Sequence, residues 1–265
     1  DNSNNVSLPS SSLNLKIDST SPTISGVNSS TSNGSYNTGD SITINVLFSE
    51  AVNVVTTSGG TAPTLELETG STKRKATYTT GTGTNTLVFT YTVAAGDTAS
   101  DLDYLNNSAL SLNDGTIKDA AGNNATLTLA EPGASGSLGA NNTLIIDTTA
   151  PGKPTISTSD TTTNDTTPSV SGEAEEGSIV KLFNGSTELG STTADESSGA
   201  FTVEVSNSSA LSDGTYPLTV KAEDKTGNIS VDSEPVYITI QIDITKPVTP
   251  TISTSDTITN NTTPT

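Results

Sequence analysis

The chain has no cysteine, histidine, methionine or tryptophan among its 265 residues, and aromatic residues make up only 4% of it. Without cysteine there are no disulfides, thiolate metal sites or thiol nucleophiles. Without histidine as well, neither a Ser-His-Asp nor a Cys-His constellation can be assembled, and zinc and copper lose their usual ligands. A paired-carboxylate glycosidase needs none of these residues. It would usually need an aromatic-walled cleft, however, and 6 Tyr and 4 Phe supply little for one. No glycine-rich phosphate loop precedes a helix. The chain therefore reads as a protein without enzymatic activity. The lack of methionine carries the expectation of an internal piece or a processed form of a longer product. No stretch approaches the roughly 18 apolar residues of a membrane helix, and no signal peptide is visible.

Basic residues are scarce too. Ten Lys and Arg stand against 29 Asp and Glu, for a net charge of −19. Nucleic acid and anionic membrane surfaces would both repel such a chain, so neither a nucleic-acid partner nor membrane insertion is expected. The same charge favours solubility and creates a demand for cations. The plainer explanation is an ordinary acidic surface of the kind a salt-rich environment favours. The hydrophobic fraction, 30%, is low enough to suggest disorder. The apolar residues are not scattered, though: they alternate in short runs.

Ile42, Ile44, Val46 and Phe48 fall on one face of SITINVLF, with Ser41, Thr43 and Asn45 on the other. The same alternation places Leu87, Phe89, Tyr91 and Val93 together, then Phe201, Val203 and Val205, then Tyr216, Leu218, Val220 and Ala222, then Val236, Ile238, Ile240 and Ile242. Period-two patterning marks half-buried strands of antiparallel sheets. Turn signals separate the runs, at Asn33-Gly34, Asp114-Gly115, Asn184-Gly185 and Asp213-Gly214. No segment has a helical period. The expectation is an all-β fold of tandem immunoglobulin-like β-sandwich domains set end to end.

An internal repeat marks the boundaries. Residues 147–169 and 243–265 agree at 16 of 23 positions, and a weaker copy begins at Asp18. All three share Asp-x-Thr-x-Pro, each after a strand-like run, so each reads as a junction where a proline-stiffened linker leads into the next domain. The first domain then spans 18–146 and the second 147–242, close to the roughly 100 residues of one sandwich. Residues 1–17 read as the end strand of a preceding unit, or as an exchange strand. Residues 243–265 read as a linker and the first strand of a following repeat. A second motif, Asp-x-x-Gly-Asn, occurs at Asp119–Asn123 and Asp224–Asn228. In the second domain it occupies the loop between the sixth and seventh strands. Tyr216, in DGTYPLTV, is the candidate for a tyrosine corner, in which the hydroxyl bonds back to a nearby backbone group.

Four motifs carry a family resemblance. Gly172–Gly177 (GEAEEG), Asp213–Tyr216 (DGTY), Ala222–Asn228 (AEDKTGN) and Asp147–Pro151 (DTTAP) occur together across nearly the whole second domain. Their order and spacing resemble the bacterial immunoglobulin-like, cadherin-like repeats of large secreted, RTX-type surface adhesins. The first domain is similar to a related sandwich repeat of the same large surface proteins. The resemblance implies an extracellular location, at a bacterial cell surface or secreted, and a role in adhesion or biofilm. It also implies neighbouring repeats of the same protein as partners and Ca²⁺ at domain junctions.

In a seven-stranded sandwich the chain enters at the end that carries the loops between the second and third strands and between the sixth and seventh. That end gathers Asp18, Glu50 and Asp119 in the first domain. In the second it gathers Asp147, the acids Glu173, Glu175 and Glu176, and Asp224. Asp243 opens the third junction. Clustered carboxylates repel one another unless a cation lies among them, and an all-oxygen donor set suits Ca²⁺ better than the tight octahedron of Mg²⁺. The alternative is that these residues only make turns and caps. There is no EF-hand loop and no Gly-Gly-x-Gly-x-Asp repeat. Lys181 alone lies in an otherwise apolar strand, where an intramolecular isopeptide bond would place it.

The function expected is that of structural spacer repeats in an extracellular adhesin or surface fibre, stiffened by Ca²⁺ at the junctions. The alternative is a filament subunit in which the free segments Leu13–Ile17 and Thr251–Ser255 complete identical subunits by β-strand exchange.

Overall fold

The computed structural model describes residues 17–56, 62–242 and 250–251. Most of the two segments expected to exchange between subunits, together with Asp243, lie outside the described residues.

The first domain contains β1 (Ile24–Ser29), β2 (Gly34–Tyr36), β3 (Ser41–Val55), β4 (Thr64–Leu67), β5 (Arg74–Thr80), β6 (Thr84–Thr92), β7 (Thr98–Ala99), β8 (Leu110–Ser111), β9 (Thr116–Lys118) and β10 (Leu144–Asp147). One sheet runs β1-β3-β6-β5-β4-β8, with β9 on the far half of β3, and a small sheet runs β2-β10-β7. The long strand β3 serves two partners because its register shifts between Leu47 and Val52. Its first half pairs with β1 and β6, and Asn53–Val55 pairs with β9. That shift places Glu50 beside the segment where the chain enters. The loop before β10 contains one short helix, α1 (Leu138–Asn141), capped by the Ser137 hydroxyl.

The second domain contains β11 (Thr155–Ile156), β12 (Thr161–Thr163), β13 (Ser169–Glu173), β14 (Ile179–Asn184), β15 (Thr187–Thr193), β16 (Ala200–Glu204), β17 (Gly214–Glu223) and β18 (Val236–Ile240). Its sheets are β11-β13-β16 and β12-β18-β17-β14-β15. β11 and β12 are successive halves of the entering strand that switch sheets, and β12 runs parallel to β18. This is an immunoglobulin-like sandwich. Gly172 lets it close: a Cβ there would lie 2.0 Å from the Thr155 carbonyl and 2.8 Å from the Phe201 ring.

The alternating residues fill two separate cores, one built from Val27 to Ile146 and the other from Val170 to Ile240. Ile42, Ile44, Val46, Phe48, Leu87, Phe89, Tyr91 and Val93 are all buried in the first. Phe201, Val203, Val205, Leu218, Val220, Val236, Ile238 and Ile240 are buried in the second. Two members of the pattern depart, one of them Tyr216, which is only half-buried against the core. Ile242 is 38% exposed, because β18 ends at Ile240 and the chain has left the sheet.

The tyrosine corner is present. Tyr216 donates to the Ser212 carbonyl at 3.1 Å. A second one, not expected from the sequence, joins Tyr36 to the Ser32 carbonyl. Both stand at the end of a Ser-(Asn/Asp)-Gly-(Ser/Thr)-Tyr stretch. Tyr216→Phe removes one net hydrogen bond and is expected to cost about 0.5–1.5 kcal/mol. Urea denaturation of the second domain measures it, and an unchanged midpoint would mean the bond adds nothing.

Candidate metal centres at the domain entrances

The first cluster is built where the chain enters. The Thr23 amide donates to the Ser49 hydroxyl at 3.0 Å, and the Ser49 amide donates to the Thr23 carbonyl at 2.8 Å. The Thr126 amide donates to the Pro22 carbonyl at 2.8 Å. These bonds place the entering segment against the end of β3 and against the loop that follows β9. The result brings one carboxylate oxygen each of Asp18, Glu50 and Asp119 within 4.8 Å of one another. Asp119 is buried, and Asp18 and Glu50 are half-buried. None of the five ion pairs among the described residues includes any of the three.

The Asp-x-x-Gly-Asn loop explains the position of Asp119. Its Oδ1 accepts from the Asn123 amide at 2.8 Å and its Oδ2 from Asn123 Nδ2 at 2.6 Å. Asn123 Nδ2 also donates to the Asp18 carbonyl at 3.2 Å. Gly122 supplies the left-handed turn, at φ 94°. The second domain repeats this construction. Asp224 accepts from the Asn228 amide at 2.9 Å and from Asn228 Nδ2 at 2.8 Å, and Nδ2 donates to the Asp147 carbonyl at 3.1 Å, with Gly227 at φ 85°. In both domains, then, one Asn ties the loop acid to the backbone of the linker Asp. The linker acids match as well: Asp18 accepts from the Thr20 amide at 3.0 Å and Asp147 from the Thr149 amide at 2.9 Å.

Burial works against ionisation of Asp119 and Asp224, but these hydrogen bonds, with those the Thr226 hydroxyl and amide give Asp224, outweigh it and hold both carboxyls below the ordinary aspartate range. The hydroxyls and amides of Ser197 and Ser198 hold Asp195 lower still, at about 2. A carboxyl depressed in the folded state adds stability above its unfolded value, and that stability is lost as pH falls through the folded value. Above that window, acidification toward the isoelectric point near 4.1 only relieves the self-repulsion of the −19 chain. The melting temperature is therefore expected to fall steeply between about pH 4 and pH 2. Calorimetric scans across that range check it, and a flat profile would contradict the hydrogen bonding described.

The second cluster is looser than the first. Asp147, Glu175, Glu176 and Asp224 line one cleft with Gly177, Ser178, Lys225 and Thr226. Glu173 is not among them. It closes β13 as a strand residue rather than a loop residue, and it lines a separate groove with Gly152, Lys153 and Glu175. Asp160 and Asp165 are occupied elsewhere, accepting from the amides of Tyr237 and Thr167. The ammonium of Lys181 donates to Glu223 across the β14–β17 pair, in an ion pair. Sequence reasoning missed Lys225 as a lining residue and missed the bridging role of Asn123 and Asn228. The repeated Asn of the motif was the available signal for the latter.

Residues 141–244 match the bacterial Ig-like domain family. No curated protein matches the chain. Among solved structures the chain is similar to the fibronectin(III)-like modules of Clostridium thermocellum CbhA, at 15% identity over 85% of this chain and 100% of that one, with a TM-score of 0.36. It is similar to a structure from a 1.5-MDa bacterial ice-binding adhesin, at 20% identity over 83% of this chain and 65% of that one, with a TM-score of 0.36. It is also similar to the BSP domain of a biofilm associated protein, at 17% identity over 81% of this chain and 29% of that one, with a TM-score of 0.28.

Proposed function

We propose, from the premise that residues 141–244 are a bacterial Ig-like domain, that the chain is a stalk segment of an extracellular bacterial adhesin or surface fibre. Its domains act as spacers set end to end, and Ca²⁺ stiffens the places where the chain enters them. The observation that carries this reading is the Asp18, Glu50 and Asp119 cluster, whose oxygens lie within 4.8 Å of one another and form no ion pair among the described residues. Such a donor set fits the ion: it is all carboxylate oxygen, with Asp18 and Asp119 on loops and Glu50 on β3 where its register shifts. Bound there, the ion would supply charge neutralisation and a crosslink. The chain's own residues do the rest. Asn123 orients Asp119 and fixes the backbone of Asp18, so that the linker acid and the loop acid face the same space.

One further observation suits a structural role: Asp119 and Asn123 already hydrogen-bond one another, as Asp224 and Asn228 do. Among the described residues no helix is long and apolar enough to cross a membrane.

Titration calorimetry with Ca²⁺ tests the reading. The native chain is expected to bind with a dissociation constant on the order of 10⁻⁴–10⁻³ M, the range of extracellular modules. Asp119→Asn keeps the shape of the loop but removes a charge, and is expected to weaken binding at least tenfold. Amide exchange at Thr20, which caps Asp18, should slow when the ion binds. A native chain that takes up no Ca²⁺ would overturn the stiffening.

A further inference from the structure

Asp147 is held by both domains. It is the last residue of β10, where it pairs with Thr98 of β7, and its neighbour Ile146 is buried in the first core. Its carbonyl accepts from Asn228 Nδ2 of the second domain at 3.1 Å. Asn228 is 8% exposed and is tied into its own loop. Its amide and Nδ2 donate to Asp224 at 2.9 and 2.8 Å, and its carbonyl accepts from the Asp224 amide at 3.0 Å. The second domain therefore grips the first by the end of its last strand.

The first domain keeps its own hold one residue further on. The Thr148 hydroxyl accepts from the Gly96 amide at 2.9 Å and donates to the Asp97 carbonyl at 3.0 Å. The Asp97 carboxylate in that turn is itself fixed by Arg74, Tyr91 and the Ala94 amide. Relative motion is the default for domains that share only a small contact. A hinge, however, needs residues whose φ and ψ belong to neither body. Here the second domain's hold at Asp147 precedes the first domain's last hold at Thr148, so no such residue lies between the two. The chain that follows is not slack either. The Thr149 amide donates to Asp147 Oδ1 at 2.9 Å, and Pro151 and Pro154, each with φ fixed by its ring, are buried before β11 begins at Thr155.

We propose that Thr148 and Asn228 form an interlock that fixes the angle between the two domains through the protein's own hydrogen bonds, without an ion. Thr148 fastens the joint to the first domain and Asn228 fastens it to the second. Ca²⁺ bound at this entrance would add to the hold rather than create it, so the inference does not rest on the Ca²⁺ reading. The first domain carries the same grip, with Asn123 Nδ2 donating to the Asp18 carbonyl at 3.2 Å. In a stalk the consequence is a joint that keeps its angle when the ion is withdrawn.

Residual dipolar couplings of the backbone amides, measured on the full chain in chelator, test the interlock. The native chain is expected to give one alignment tensor for both domains. Thr148→Val keeps the shape of the side chain and removes one fastening, and Asn228→Ala removes the other. Losing one net hydrogen bond should raise the bent population about two- to tenfold, so that the tensors of the two domains diverge in size. Thr148→Ser keeps the hydroxyl and is expected to behave as the native chain does. Couplings within each domain report that domain's own fold, which separates a loosened joint from an unfolded domain. Asn228→Ala also frees Asp224, so Thr148→Val, which touches no acid, decides where the two variants disagree. Tensors of unequal size in the native chain would overturn the interlock, and so would a single shared tensor in Thr148→Val. A chain that takes up no Ca²⁺ in calorimetry removes the Ca²⁺ reading and leaves this one standing.

Discussion

Arg74→Met is expected to destabilise the first domain by about 3–5 kcal/mol, the cost of leaving a buried charge without its partner. The charge is Asp97, whose side chain is fully buried. It accepts from Arg74 Nε at 2.7 Å, from the Tyr91 hydroxyl at 2.6 Å and from the Ala94 amide at 2.9 Å. Burial opposes its ionisation, but the bonds from Tyr91 and Arg74 outweigh this and hold it below the ordinary aspartate range. The same burial, with the neighbouring carboxylate, pushes the Tyr91 hydroxyl well above its usual value, so it stays a donor. Methionine fills part of the space of the arginine stem and removes the charge. The carboxylate then keeps two donors and no counter-ion.

The loss would reach beyond the core. The Asp97 carbonyl accepts from the Thr148 hydroxyl at 3.0 Å, and the Thr148 hydroxyl accepts from the Gly96 amide at 2.9 Å. The residue after the last strand of the first domain is thus anchored to the turn that Asp97 organises. Two-step urea denaturation should show the first domain moving to lower denaturant while the second stays in place. Arg74→Met combined with Asp97→Asn should recover part of the loss, because it removes the stranded charge. A change below about 1 kcal/mol for the single variant would mean that water reaches Asp97 and solvates it.

Nothing in the sequence pointed to that ion pair. Arg74 and Asp97 are 23 residues apart, and only the pairing of β5 with β6 brings them together. The strand phases were legible for a simple reason. A half-buried strand must alternate, so Ile42 to Phe48 and Leu87 to Val93 report their own burial. The loop acids were legible because the Asp-x-x-Gly-Asn stretch carries both its turn and its cap within five residues. Glu173 was misplaced because GEAEEG reads as one acidic loop, although Gly172 and Glu173 still pair with β11 and β16. The sharing of β3 between β6 and β9 was not legible either, since both halves alternate in the same way. Tyr36 could have been found by setting SNGSY beside SDGTY.

An ion held by Asp18, Glu50 and Asp119 is proposed to secure the entrance of the first domain. Differential scanning calorimetry, with Ca²⁺ at about a hundredfold excess over its dissociation constant and then with chelator, tests it most directly. An ion that binds only the folded state adds about 2.7 kcal/mol under those conditions. The two hydrophobic cores are separate, so each domain is expected to report its own transition. Ca²⁺ is expected to raise the transition of the first domain by several degrees and to lose that effect in Asp119→Asn. A first transition that ignores Ca²⁺, or that shifts equally in Asp119→Asn, would contradict it.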